Sequence, residues 1–214
     1  MTEPTPCLFD PSLIDRLIDE LYHNGWFVGE NFLGELQRNL LLQRAQGISD
    51  YAAAGIGRGG DHHRDLSIRR DQIHWLDPGQ EADNLWLELM ESLRVAINRH
   101  LFLGLFEYEC HFAYYPPGAF YRRHYDAFKG AGSRIVTTVL YLNAEWQRDW
   151  GGELKLYGRS DELLCEIPPC GGTLVMFLSE EFPHEVLPTT RDRYSLSGWF
   201  RLNGSSSLVP DPLV

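Results

Sequence analysis

Tyr108-Glu-Cys-His-Phe-Ala-Tyr-Tyr115, closed by Pro116-Pro117-Gly118 and followed by Tyr121-Arg-Arg-His-Tyr-Asp126, is the stretch on which the reading of this chain turns. The first run is aromatic, bounded by turn residues, and reads as a strand. In extended backbone, side chains at i and i+2 project from one face, so His124 and Asp126 can present an imidazole and a carboxylate to a single ion. A third donor, His184 in Pro183-His-Glu-Val186, can close the set from another strand. Two histidines and one carboxylate on one side of an ion leave its other positions open, the pattern suited to non-haem Fe(II) that must hold a co-substrate and O2 together.

Downstream, short runs rich in β-branched and aromatic residues predict strands over Arg134 to Leu142, Glu153 to Tyr157, Leu163 to Ile167, Thr173 to Leu178, His184 to Leu187 and Tyr194 to Leu202. Metal ligands spread over such strands point to a jelly roll of the cupin kind, a double-stranded β-helix, with the site in its mouth. Upstream the chain reads as helical. Asp10-Pro11 is an N-cap with proline at the first helical position, Leu13, Ile14, Leu17, Ile18 and Leu21 share a face, and Gly25 is a stop. Leu33, Leu36, Leu40 and Leu41, and then Leu85, Trp86, Leu89, Met90, Leu93, Ile97 and Leu101, have the same period and are expected to cover a sheet. Between them, Ala52 to Arg70 is rich in Gly, Arg, Asp and His without periodicity, the character of a functional loop. The expectation is one domain over 1–214, mainly β with α: helical support and loop to about residue 105, and a jelly-roll core over about 106–202. The tail from Gly204 reads as a flexible end.

The net charge of −11 argues against nucleic acid and anionic membrane surfaces, leaving a basic protein or a small molecule as the expected partner. Cys7, Cys110, Cys165 and Cys170 have no metal-site spacing and read as reduced thiols of a cytoplasmic protein. The N-terminus has neither the basic start nor the apolar run of a signal peptide, and no uninterrupted apolar run reaches membrane-spanning length. His23, His74, His100 and His111 are read as structural or surface residues, and His62 and His63 as solvated, with steering of substrate the alternative.

Nine residues beyond His184 stands Arg193, sharing a strand face with Ser195, Ser197 and Trp199. A guanidinium facing a metal site needs an anion, and one that binds a carboxylate bidentately could hold the far end of a dicarboxylate whose near end chelates the metal. 2-Oxoglutarate has that shape. With Ile68-Arg-Arg-Asp-Gln-Ile-His-Trp75, Tyr115-Pro-Pro-Gly118, Arg134-Ile-Val-Thr-Thr-Val-Leu-Tyr-Leu-Asn143, Gly151-Gly-Glu-Leu154 and Arg193-Tyr-Ser-Leu-Ser-Gly-Trp199 added, the sequence resembles the 2-oxoglutarate- and Fe(II)-dependent prolyl hydroxylases, in particular bacterial relatives of the hypoxia-inducible-factor prolyl hydroxylases, over roughly Ile68 to Phe200.

The resemblance implies that His124, Asp126 and His184 bind iron, and that Arg193 and Tyr141 bind the distal carboxylate of 2-oxoglutarate with Thr137 and Ser197 beside it. Tyr115 would line its chelating end. It further implies that Tyr121, Arg134 and Trp199 contact the target proline and that Ala52 to Arg70 is a loop closing over polypeptide, anchored by Asp71 pairing with Arg134. O2 is the oxidant, ascorbate a candidate reductant, and a prolyl residue of elongation factor Tu the candidate substrate. Length changes before His124 and between Ala127 and Ser133, and a loop sequence of its own, depart from the animal enzymes where substrate would lie. The alternatives are the same chemistry on a free amino acid or small molecule, and a non-catalytic cupin-like module that senses a metal or ligand. A zinc hydrolase lacks a general base beside the triad, because Glu185 faces away from His184.

Overall fold

The computed structural model describes residues 9–55, 65–127 and 133–202. Cys7, His62, His63 and the tail from Gly204 lie outside them, as do parts of the two loops expected to face substrate. Helix α1 (Pro11–Asn24) begins where expected: the Asp10 carboxylate accepts from the Ser12 amide at 2.9 Å, and Gly25 ends the helix at φ 78°. Left-handed backbone at that position costs glycine nothing. The helix buries Ile14, Leu17, Ile18 and Leu21, each burial worth roughly 1.5–3 kcal/mol.

Strand β1 (Trp26–Gly29) follows directly. Helix α2 (Glu35–Gln46) departs from the expected apolar stripe. It buries only Leu41 and Ala45, while Leu36 is 82% exposed and Leu40 partly so. Leu33 precedes the helix, where its amide donates to the Gly172 carbonyl, so the leucine spacing spanned a helix start rather than a helix face. Strands β2 (Ala52–Ala53) and β3 (Gln72–Trp75) lead to helix α3 (Glu81–Leu101), which buries Trp86, Leu89, Met90, Leu93 and Ile97.

The remaining strands are β4 (Glu107–Tyr115), β5 (Tyr121–His124), β6 (Arg134–Tyr141), β7 (Leu154–Tyr157), β8 (Leu163–Ile167), β9 (Leu174–Leu178), β10 (His184–Val186) and β11 (Arg193–Arg201). They form two antiparallel sheets, a seven-stranded one in the order β1-β9-β6-β11-β4-β3-β2 and a four-stranded one in the order β5-β10-β7-β8. The central strands of the long sheet alternate between two cores. Phe112, Leu140, Met176, Leu196 and Phe200 join the helices in one core, whereas Val139, Tyr141, Val175 and Phe177 face the short sheet and pack with Leu154 and Leu156. A double-stranded β-helix with helices on one outer face results. Among the described residues no helix is long and apolar enough to cross a membrane.

The segment expected as one loop from Ala52 is divided. Its first residues pair with β3, and its last, from Asp65, lie against β5: the Arg122 amide donates to Ile68 O at 2.8 Å, and Arg69 bridges Tyr121. Residues 56–64 lie outside the described structure.

Candidate active site

His184 on β10 stands directly across from His124 at the end of β5. Each ring places Nδ1 on a carbonyl two residues upstream, Arg122 O at 2.8 Å for His124 and Phe182 O at 3.3 Å for His184. A carbonyl only accepts, so Nδ1 carries the proton in both rings and both Nε2 lone pairs are free. They converge on one carboxylate, with His124 Nε2 3.5 Å from Asp126 Oδ1 and His184 Nε2 3.7 Å from Asp126 Oδ2. The candidate ligand atoms of the three residues lie within 4.8 Å of one another.

Burial and the neighbouring His124 lower the His184 pKa to about 4, against the pull of Asp126, so its imidazole is neutral at physiological pH. Burial alone would raise the Asp126 carboxyl, but His184, His124 and Arg134 together hold it well below the usual carboxylate range. Two imidazoles, that of His184 held neutral by burial, and one ionised carboxylate are a donor set suited to a divalent metal. Thr137 Oγ1 donates to Asp126 Oδ2 at 2.8 Å and lies 2.9 Å from Ser179 Oγ. The resemblance implies Thr137 beside the distal carboxylate of 2-oxoglutarate; in the ligand-free fold its hydroxyl lines the cavity and orients the Asp126 carboxylate.

These residues open into a cavity of about 190 Å³ between the sheets, which Arg193, Tyr115, Ser197, Tyr121, Arg134 and Trp199 also line. Tyr141 lies behind Arg193, whose guanidinium carbon is 5.0 Å from its ring and 4.7 Å from that of Tyr115. Arg193 is 1% exposed, and no carboxylate pairs with it among the described residues. Its Nε donates to Gly152 O at 2.9 Å and its Nη1 to Ser195 Oγ at 3.3 Å, a contact not foreseen from the sequence. Arg193 Nη2, Tyr141 Oη and Trp199 Nε1 are buried with no hydrogen-bond partner among the described residues. An unpaired buried guanidinium beside an unpaired phenol is costly without an anion, and a carboxylate between them would satisfy both. Burial pushes the Tyr115 and Tyr121 phenols up, Tyr121 to about 12, so both stay neutral hydroxyls.

Gly152, at φ 76°, makes room for that arginine, because a Cβ there would come 3.2 Å from Arg193 Cδ and equally close to Thr189 and Trp146. Gly152→Ala is expected to cost at least about 1–2 kcal/mol from the left-handed backbone alone and to weaken 2-oxoglutarate binding, read by calorimetry on the metal-loaded protein.

At the mouth, the Arg134 side chain stacks on Trp199 at 3.7 Å and donates to Glu109 Oε1 at 2.7 Å. Asp71 does not pair with Arg134 as expected. It takes both ends of Arg69, at 2.8 and 2.6 Å, because side chains two apart on extended chain share a face and meet without further ordering.

His111, read as structural, lies on the cavity wall between Trp75 and Trp199, at ring distances of 5.2 and 5.5 Å. No feature of the sequence separated it from the other histidines. Burial and then Arg69 lower its pKa to about 4, with Arg134 adding to this and Asp71 opposing it. The unfolded chain takes up a proton at His111 as pH falls below about 6.5 and the folded protein only near 4, so stability is lost between those values and is unaffected above them. His111→Leu is therefore expected to flatten the fall in urea midpoint of the metal-free protein between pH 6.5 and 4.5.

The model of the 2OG-Fe(II) oxygenase superfamily matches residues 110–201. Prolyl hydroxylase EGLN3 of Mus musculus is 30% identical over 198 residues, which cover 87% of this chain and 82% of that one. A solved Pseudomonas putida prolyl-4-hydroxylase is 44% identical with a TM-score of 0.80, covering 89% of this chain and 100% of that one. A Trichoplax adhaerens prolyl hydroxylase, solved in complex with a hypoxia-inducible-factor oxygen-degradation-domain peptide fragment, is 31% identical with a TM-score of 0.74, covering 89% of each chain. With the His-Asp-His cluster and the unpaired arginine facing it, these similarities lead to one conclusion: the chain belongs to the 2OG-Fe(II) oxygenase superfamily, as a prolyl hydroxylase working with Fe(II), 2-oxoglutarate and O2.

Proposed function

We propose that this protein hydroxylates a prolyl residue within a protein substrate, with elongation factor Tu the candidate, in the cytoplasm and as a single oxygenase domain. The observation that carries the reading is a metal-ready cluster sharing one cavity with a buried guanidinium that has no carboxylate partner among the described residues, backed by a phenol with no hydrogen-bond partner there. The peptide-bound Trichoplax relative supports a polypeptide substrate.

In this reading His124, Asp126 and His184 hold Fe(II). When bound, the metal and 2-oxoglutarate together supply the O2-dependent oxidation, in which the co-substrate becomes succinate and CO2 and the proline ring gains a hydroxyl. Every other task falls to the chain. Arg193 and Tyr141 take the distal carboxylate of 2-oxoglutarate, with Ser197 beside it and Tyr115 along its length. Thr137 keeps the Asp126 carboxylate turned toward the two imidazoles. Tyr121 and Trp199 pack on the target ring, and Arg134, held by Glu109, contacts the flanking backbone. Their apolar faces keep bulk water from the reacting carbon and fix its place, the larger part of what a protein contributes to a reaction whose oxidant is a cofactor.

The test is peptide mass mapping of elongation factor Tu after incubation with the protein, Fe(II) and 2-oxoglutarate in air, with Asp126→Ala as control. One added oxygen on a proline, absent with the variant, is the expected result. Succinate formed without modification of that target would retain the oxygenase and discard the substrate.

A further inference from the structure

Tyr121 lies flat on the imidazole of His124, with ring centroids 3.5 Å apart and 16° between planes. The opposite neighbour of Tyr121 is Arg69, whose guanidinium carbon sits 4.2 Å from the phenol centroid. Arg69 is itself immobilised. Asp71, 2% exposed, holds two of its nitrogens, and Nη1 donates to Gly55 O at 3.1 Å. The backbone is tied as firmly: Arg70 N donates to Phe120 O at 3.0 Å and Arg122 Nε to Ser67 O at 2.6 Å, so the chain leaves a turn over residues 66–68, bridges β5 at Arg69 and passes into the long sheet.

His124 needs such support more than its partners do. Its side chain is 16% exposed against 8% for Asp126 and 6% for His184, and its Nδ1 hydrogen bond, like that of His184, is made only two residues upstream among the described residues. One hydrogen bond at Nδ1 leaves the imidazole free to rock about that axis. A parallel ring pressed on its face removes the freedom, and a fixed cation behind that ring holds it there.

We propose that Arg69 is a positioning residue for the metal centre, clamping the Tyr121 ring onto His124 and so setting the plane of that ligand. The inference rests on His124 binding the metal. It makes the Arg69–Asp71 pair, outside the ligand set, a determinant of metal affinity, and it couples Tyr121 to the metal in the absence of any substrate. Groups that orient metal ligands typically contribute about 10- to 100-fold in affinity.

The test uses anaerobic Co(II) titration of the full chain, read by calorimetry and by the visible absorption of the bound ion, without substrate or turnover. Arg69→Met and Tyr121→Leu are each expected to weaken Co(II) binding about tenfold and to alter its absorption, whereas Tyr121→Phe, which keeps the ring, preserves both. Combining Arg69→Met with Tyr121→Leu should weaken binding no further than Tyr121→Leu alone, since Arg69 acts through that ring. Arg69→Met combined with Asp71→Asn, which leaves no stranded carboxylate, should repeat the effect of Arg69→Met in a folded protein. Wild-type affinity and absorption in this pair, or additive losses in the Tyr121→Leu combination, would overturn the proposal. Asp126→Ala distinguishes the two levels: if it loses Co(II) while the Arg69 variants do not, only the clamp fails, and if it binds as the wild type does, the ligand assignment fails with it.

Discussion

Asp126→Ala is expected to leave no hydroxylation above background and to abolish tight metal binding while the fold persists. The carboxylate is the one anion among the three donors, and the Nε2 atoms of both imidazoles lie 3.5 and 3.7 Å from its two oxygens. Removing it leaves two imidazoles and a Thr137 hydroxyl without its carboxylate acceptor. The loss is therefore of charge and of geometry together, and added metal should not restore activity. The measurement is succinate and hydroxyproline formation across a range of Fe(II), with circular dichroism as the folding control. Retained activity would remove the triad from the mechanism.

Arg193→Met is expected to act on the other co-substrate. Leaving a buried carboxylate without its partner costs about 3–5 kcal/mol, which corresponds to roughly a hundredfold to several-thousandfold loss of 2-oxoglutarate affinity. Metal binding in the absence of 2-oxoglutarate should not change. Nor should the ligand-free protein lose comparable stability, because an unpaired buried guanidinium burdens the empty fold and its removal offsets the lost contact to Gly152. Arg193→Lys should fall between, keeping the charge without the fork. Calorimetry with the inert co-substrate analogue N-oxalylglycine ranks the affinities of the three proteins, metal titration without it checks that the metal site is unchanged, and urea unfolding of the ligand-free protein checks its stability. Equal affinities for 2-oxoglutarate in wild type and Arg193→Met would make Arg193 a structural residue.

What the sequence made legible depended on how local the determining physics was. The ends of α1 could be read because Asp10, Pro11 and Gly25 act within one turn of themselves. The alternation along β11 could be read because a strand buried on both faces still sorts Arg193, Ser195, Ser197 and Trp199 from Tyr194, Leu196 and Phe200. The short strands β1 and β3 were invisible in a half that read as helical, since four residues carry little period and their extended state comes from pairing with β9 and β4. The same limit governed the site. His124, Asp126 and His184 were singled out by donor chemistry and motif, and the fold brings their candidate ligand atoms within 4.8 Å of one another. The partner of Thr137 was not, because a hydroxyl bonds whatever the fold brings to it, and Asp71 chose its neighbour Arg69 over the distant Arg134.

The division of the site between the two sheets has a consequence of its own. His124 and His184 stand on the short sheet, and Arg193 and Tyr141 on the long one, with Val139, Leu154, Phe177 and their neighbours setting the gap. A diacid bound as proposed would be a tie-rod between two plates whose spacing it does not choose. The fold would then act as a caliper, admitting an oxo-diacid of one length, leaving one a carbon shorter attached at a single end and forcing one a carbon longer to buckle.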